Sequence, residues 1–446
     1  MNTQAILSDI AQPAGTRSCA EEGTAASAAP AGLPPVTVLG LGMTPPHSWE
    51  DLPAASRALL AEADTLAGGD RWLNSLPAGP QERIRLISPL EDALQRIQHC
   101  HTAGRRVLVL ADGDPLYFGI GATLVRRMGA EHIRIVPQVS SLQTACARLG
   151  LPWHTVRSCS LHGRGDWRPL LAGIRAGAPV CVLTDAQNSP DVIARHLLDR
   201  GVDWLRMALC ERMGAPDERI SFLSLEKAAQ CAHGTPCTVL LVPERPPRLP
   251  HMGLDAALLA RHADLMTKRP VRAAALALLR VLPQHTVWDI GSGSGAVALE
   301  AAALAWEGRV CAVERNPMRA IDIQTNRRRT GAANVQVCCG AAPQCLAALP
   351  APDGIFLGGG LSGGAEQATA LLDELASRLP AGGRLVMACV LMGSLHTALR
   401  FFTERDWPVE LECVQAAHAR PLAGDLHMSA YNPVYLLAVS KPALAD

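Results

Sequence analysis

Short runs of apolar residues, each closed by glycine, proline or a small polar residue, recur along the chain and alternate with stretches of helical period. Residues 36–42, 106–111, 133–136, 180–183, 207–210 and 238–242 read as strands, and residues 53–63, 91–103 and 141–149 as helices between them. Such unbroken apolar runs suit strands covered on both faces, the usual setting of parallel sheets. The pattern resumes with an apolar helix from Val271, then strands at 286–290, 309–313 and 353–357 and a last strand around 432–440. The alternation predicts an α/β fold throughout. Residues 1–34, rich in small residues and poor in large apolar ones, read as a flexible extension. The proline-rich stretch 243–250 reads as a linker. The expected division is therefore 1–34, a first domain at 35–245 and a second at 246–446.

Composition narrows the function classes. The 446 residues balance 41 basic against 41 acidic side chains, which argues against a broad nucleic-acid-binding surface. Lysine occurs only at 227, 268 and 441, so the cations are mostly arginines; genomic codon bias is the plain reading, and carboxylate binding by their planar fork the functional one. Fourteen cysteines make no C-x-x-C pair, the pattern of buried small hydrophobes in a reducing compartment rather than of a metal site. With no secretory signal and no run of membrane-spanning length, a cytoplasmic location is expected.

The most informative stretch is residues 286–300. A strand, glycines at 291, 293 and 295, and an alanine-rich helix would present free backbone N–H groups to a ligand lying against side-chain-free backbone. Gly291, Gly293 and Ala296 also fit a Gly-x-Gly-x-x-Ala dinucleotide fingerprint. Glu314, about 20 residues on, is placed to bind ribose hydroxyls in either ligand class. A nicotinamide-dependent oxidoreductase is thus one reading of the second domain. Asp289, whose carboxylate can meet a cofactor ammonium or a loop amide, favours S-adenosylmethionine. The candidate contacts are Asp289, Gly291, Ser292, Gly293, Ser294, Gly295 and Glu314, with Arg315 beside them.

In the first domain, the glycine turn ending at Gly42 runs into Met-Thr-Pro-Pro, which cannot open a helix in the dinucleotide-binding manner. Asp112-Gly-Asp-Pro follows a buried strand at the end where open α/β sheets place ligands. Ser140 and Ser141 stand at a helix start, where capping is the plain alternative. The Leu39–Gly42 turn, the Gly113–Pro115 loop, residues 139–145 and Ser160-Leu-His-Gly together resemble the tetrapyrrole methylases. These are two-lobed class III methyltransferases acting on porphyrin- and corrin-like rings. The resemblance implies S-adenosylmethionine contacts at Gly42, Gly113, Asp114, Ile120, Ser140 and Ser141, with Gln138 replacing a usual glycine. For His162 a structural hydrogen-bonding role is the favoured expectation.

Residues 266–268 (Met-Thr-Lys), the glycine stretch, residues 353–360 and Asn432-Pro-Val-Tyr resemble the decarboxylating precorrin methyltransferases, of class I Rossmann-like fold. By that resemblance Ala342 lies in the adenine-side loop, Ala341 replaces its usual acid, and Ala388 and Gly393 stand where Asn and Glu are expected. A fusion of these two types resembles the precorrin-6Y methyltransferase family of cobalamin biosynthesis. It implies one S-adenosylmethionine per domain and methylation of precorrin-6Y (precorrin-6B) at carbons 5 and 15. Decarboxylation of the ring-C acetate would then give precorrin-8. The cobalt-containing equivalent is the alternative substrate, and a homo-oligomer is expected. Because the substrate carries several carboxylates, Lys268 and Arg272 are the expected catalytic-site cations, with surface solvation or helix capping as the plain reading.

Overall fold

In the computed structural model, residues 32–43, 49–262 and 266–443 are described, so the expected extension at 1–34 lies almost wholly outside them. Five short strands build the first sheet: β1 (Val36–Leu41), β2 (Thr65–Gly68), β3 (Glu82–Arg85), β4 (Val107–Asp112) and β5 (Ile133–Val136). They lie in the order β3-β2-β4-β1-β5, with parallel pairing at β1/β5, β2/β3 and β2/β4. Val36 and Val38 join one buried cluster, and Leu39 and Leu41 another. The apolar run is continuous because both faces of the strand are covered.

A second sheet contains β6 (Arg157–Ser160), β7 (Val180–Leu183), β8 (Leu205–Glu211), β9 (Arg219–Ser224) and β10 (Cys237–Pro243), in the order β6-β7-β10-β8-β9. Only β6/β7 is parallel here; β10 pairs antiparallel with β7 and β8, and β9 with β8.

The third sheet is built from β11 (Thr286–Ile290), β12 (Arg309–Glu314), β13 (Val335–Cys339), β14 (Gly354–Leu357), β15 (Arg384–Cys389) and β16 (Val409–Val414). A hairpin of β17 (Ala417–Leu422) and β18 (Asp425–Ala430) precedes the last strand, β19 (Val434–Ser440). The order β13-β12-β11-β14-β15-β19-β16 puts β11 third, beside the central β14, with the chain reversing direction across the sheet between the two. Ligands in open α/β sheets bind at the carboxyl ends of the strands flanking such a switch point. β19 runs antiparallel between β15 and β16. A dinucleotide-binding sheet of order 3-2-1-4-5-6 has no such inserted strand. The nicotinamide reading therefore does not match the sheet, whereas the class I methyltransferase arrangement does.

The chain forms two compact units. One holds the first sheet; the other holds residues 42–43, the turn at 112–114 and the described residues from Val139 onward. The proline-rich stretch 243–250 therefore lies within the second unit. There, Arg327 donates to the Asp199 carbonyl at 2.6 Å and to its carboxylate at 3.0 Å, while Arg309 pairs with Asp166 at 3.4 Å. Ala333 packs into the apolar cluster that lines the second sheet. No described helix is long and apolar enough to cross a membrane.

Candidate cofactor and substrate sites

After β11 the chain enters left-handed backbone at all three turn glycines, with φ of 73° at Gly291, 60° at Gly293 and 82° at Gly295. A Cβ on Gly291 would lie 3.2 Å from the nitrogen of Gly359, in the loop after β14, so the switch-point crevice is lined there by bare backbone. The Gly291 and Ser292 amides both donate to the Val313 carbonyl at 3.0 Å. Glu314 accepts from the Gly293 amide through one carboxylate oxygen and from the Asn316 amide through the other, each at 2.9 Å. The acid expected to meet a ribose thus also fastens the turn. Arg315, beside it, is exposed, and Ala342 is half-buried.

Asp289 is only 1% exposed. Its protein partners are an amide in the first turn of the helix Ala296–Leu304 and a hydroxyl of the glycine turn. Its Oδ2 accepts from the Ala298 N–H at 3.0 Å and from the Ser292 hydroxyl at 2.6 Å. Asp289 Oδ1 and the buried Ser294 hydroxyl have no hydrogen-bond partner among the described residues. Burial pushes the Asp289 carboxyl up from 3.8 to about 6; Ser292 and Ala298 oppose the shift and the Glu314 charge adds to it. A raised folded-state pKa means stability present below the unfolded value and lost as pH rises through the folded one. Between 3.8 and about 6 this group's share is about 3 kcal/mol. Asp289→Asn, which cannot ionise, should therefore become progressively more stable than the wild type across that interval in urea denaturation; a pH-independent difference would contradict the assignment.

Lys268 and Arg272, paired as expected substrate cations, prove to do different things. Lys268 is half-buried at the N-cap of the helix Arg269–Leu279. Arg272 is fully buried, with 0% exposure. It donates from Nε to Glu300 at 2.8 Å, from NH1 to the Thr267 carbonyl at 2.9 Å and from NH2 to the Leu254 carbonyl at 2.7 Å. Glu300 also accepts from the Leu254 amide at 2.9 Å. The expectation that Arg272 meets substrate carboxylates is thus corrected: a guanidinium saturated inside the protein ties the segment before Lys268 to the helix after the glycine turn. Sequence reasoning missed Glu300, although a lone charge in an otherwise apolar alanine-rich helix signals a buried partner.

The end of the sheet that Lys268 occupies follows from packing. A Cβ on Gly354, the first residue of β14, would sit 3.2 Å from the Leu279 side chain, so the helix C-terminus lies at the start of the strands. Its N-terminus, with Lys268, faces the carboxyl ends, where the glycine turn sits. Val390, Leu391 and Met392 follow β15 at that same edge and are 56%, 58% and 62% exposed.

In the first domain three distant segments close on one another. Gly113 has φ 53°, and a Cβ there would lie 3.4 Å from Met43 Sδ, 3.4 Å from the Val139 carbonyl and 3.5 Å from Ser140 Cα. Gly42 is exposed at the end of β1, Asp114 is half-buried, and Ser140 and Ser141 are buried. Ile120 opens the helix Ile120–Met128 and packs against the first sheet's core. Ser140 performs the capping role: its hydroxyl accepts from the Gln143 amide at 3.2 Å, and the Gln143 side chain accepts from the Ser140 amide at 2.9 Å. Ser140→Ala should cost about 1 kcal/mol, read as a lower urea midpoint; an unchanged midpoint would contradict the cap. His162 Nδ1 lies 3.1 Å from the Thr184 carbonyl, while the Asp185 carboxylate accepts from the Gly163 and Asn188 amides at 2.6 Å each. That is the hydrogen-bonding role expected of this histidine.

Residues 36–229 match the family model of the tetrapyrrole (corrin/porphyrin) methylases, and residues 259–441 that of the precorrin methyltransferase domain. A decarboxylating precorrin-6Y C(5,15)-methyltransferase of Sinorhizobium sp is 34% identical over 369 residues, covering 80% of this chain and 85% of that protein. Its counterpart in Mycobacterium tuberculosis CDC 1551 is 30% identical over 417 residues, covering 91% of this chain and 100% of that protein. The cobalt-precorrin-7 C(5)-methyltransferase of Salmonella typhimurium is 38% identical over 188 residues, 42% of this chain and 90% of that protein. A match of this extent, on a chain with a glycine cradle at the switch point of its third sheet, has one reading: the chain belongs to the decarboxylating precorrin-6Y C(5,15)-methyltransferases.

Proposed function

We propose that this chain methylates precorrin-6Y at ring carbons 5 and 15, using one S-adenosylmethionine per domain, and removes carbon dioxide from the ring-C acetate in its second domain. The observation that supports it most is the presence, at strand ends of separate sheets, of two positive-φ glycine turns packed closely against neighbouring loop backbone. The names of the relatives covering most of this chain specify precorrin-6Y; relatives whose names carry cobalt cover 39% to 42% of it, which favours the metal-free substrate.

S-adenosylmethionine fits both places. In the second domain the turn at Gly291, Ser292, Gly293, Ser294 and Gly295 would hold it, with Glu314, Arg315 and Ala342 at its rim. In the first, Gly42, Gly113, Asp114, Ser140 and Ser141 would do so. When bound, it supplies an electrophilic methyl group on a sulfonium. The protein's part is positioning and exclusion of water. Asp289 and Glu314 fix the turn, and the Arg272–Glu300 pair fixes the segment bearing Lys268. The exposed Val390–Met392 surface suits the apolar face of a flat ring. Loss of carbon dioxide breaks the C–C bond and leaves an electron pair that the conjugated macrocycle accepts; a proton taken up from solvent at the acetate carbon then completes the methyl group, and the protein's part is to orient the acetate, with Lys268 the candidate to hold it. We place the enzyme in the cytoplasm as a homo-oligomer without a nucleic-acid partner, in line with its free described cysteines and balanced charge. Isothermal titration with S-adenosylhomocysteine should find two sites per chain; a single site would refute the two-site reading.

A further inference from the structure

We propose that the base of the β17–β18 hairpin is a carboxylate-binding subsite, formed by Lys268, His418 and Arg420 around the ring of Tyr431, that takes an acidic side chain of the tetrapyrrole. The inference rests on the substrate class proposed above and assigns the hairpin a part in holding it.

The hairpin springs from the ligand edge of the third sheet. Cys389, the last residue of β15, pairs with Tyr435, and Val414, the last residue of β16, pairs with Val434. β15 and β16 both run antiparallel to β19, so both end at the edge where the glycine turn lies. The Tyr431 amide donates to the Ala416 carbonyl at 2.8 Å and closes the hairpin's base there. Lys268 reaches the same place from the helix side, with its ammonium 5.8 Å from the centre of the Tyr431 ring.

His418 stacks on Tyr431, their centroids 4.4 Å apart and their planes within 8°. Arg420 Nε donates to His418 Nε2 at 2.8 Å. A guanidinium has no lone pair to offer and stays protonated, so Nε2 must accept, and a neutral His418 carries its proton on Nδ1. That Nδ1 is buried and has no partner among the described residues. Nor does either cation, Lys268 or Arg420, form a salt bridge among them, although most other arginines of the second unit do. An imidazole beside a guanidinium and stacked on a tyrosine ring that an ammonium also approaches, with one N–H unanswered and neither cation holding a counter-ion among the described residues, is complementary to a carboxylate. The reduced tetrapyrrole is a polycarboxylate, and it must reach this edge for methyl transfer.

The test uses the full chain saturated with S-adenosylhomocysteine, and uroporphyrin I, a tetrapyrrole octacarboxylate, as the probe, with its octamethyl ester as the uncharged control. Binding is followed by quenching of porphyrin fluorescence. The acid should bind and the ester should not. His418→Phe, which keeps the stack but removes the ring N–H, and Arg420→Gln should each weaken binding of the acid about tenfold or more, the loss of one charge-assisted hydrogen bond. Arg420→Lys, which keeps the charge, should recover part of the loss. S-adenosylhomocysteine titration of each variant reports folding separately and should be unchanged. Equal treatment of acid and ester by the wild type, or variants that keep both ligands at wild-type affinity, would overturn the subsite. Loss of S-adenosylhomocysteine binding by the wild type would instead strike at the methyltransferase reading itself.

Discussion

Replacing Gly291 with valine should remove S-adenosylhomocysteine binding from the second domain and leave the first domain's site intact. The position has φ 73°, where a side chain costs about 1–2 kcal/mol and a β-branched one more. The new Cβ would also stand 3.2 Å from the Gly359 nitrogen, with two methyl groups beyond it in the crevice. Strain and lost space together should weaken that site by about 100-fold or more. Gly113→Val makes the reciprocal change: φ is 53°, and the Cβ would press on Met43 and the Val139 carbonyl. Titration calorimetry should therefore read two sites for the wild type and one for each variant. Simultaneous loss of both sites from either folded variant would contradict their independence.

Arg272→Ala should destabilise the protein by about 3–5 kcal/mol, because it strands the Glu300 carboxylate in a buried place without its counter-charge. The Thr267 and Leu254 carbonyls lose their donor in the same step. Pairing Arg272→Met with Glu300→Leu should recover only part of the loss: it removes the stranded charge, but the Thr267 and Leu254 carbonyls and the Leu254 amide stay without partners. The check is urea denaturation in the absence of any substrate. A change within about 0.5 kcal/mol, the range of ordinary surface substitutions, would return Arg272 to the role first expected of it.

These contrasts show what the sequence carried. The strands at 36–41, 107–112 and 286–290 were legible because they are apolar on both faces, and the three turn glycines because no other residue adopts their backbone cheaply. Strands with a single buried position were not: β3 buries only Ile84 of its four residues, and every residue of β17 and β18 is exposed or half-buried. Side-chain roles were harder still. Lys268 and Arg272 lie four residues apart at one helix start, and local sequence does not say that one faces inward to Glu300, 28 residues later. Asp289 was singled out beside the glycines, but its bonds to Ser292 and Ala298 appear only in the fold. The His418–Tyr431 stack joins the two sides of a hairpin that gave no apolar signal, so nothing in the linear pattern marked it.

The central claim is that a single chain performs two methylations and a decarboxylation. The most direct measurement is mass spectrometry of the product formed when the purified full-length chain is given metal-free precorrin-6Y and excess S-adenosylmethionine. The wild type should give a product with two added methyl groups that has lost carbon dioxide, and Gly113→Val a product with one added methyl group that has still lost it. A wild-type product with one methyl group, or with two and its acetate carboxyl retained, would contradict the claim.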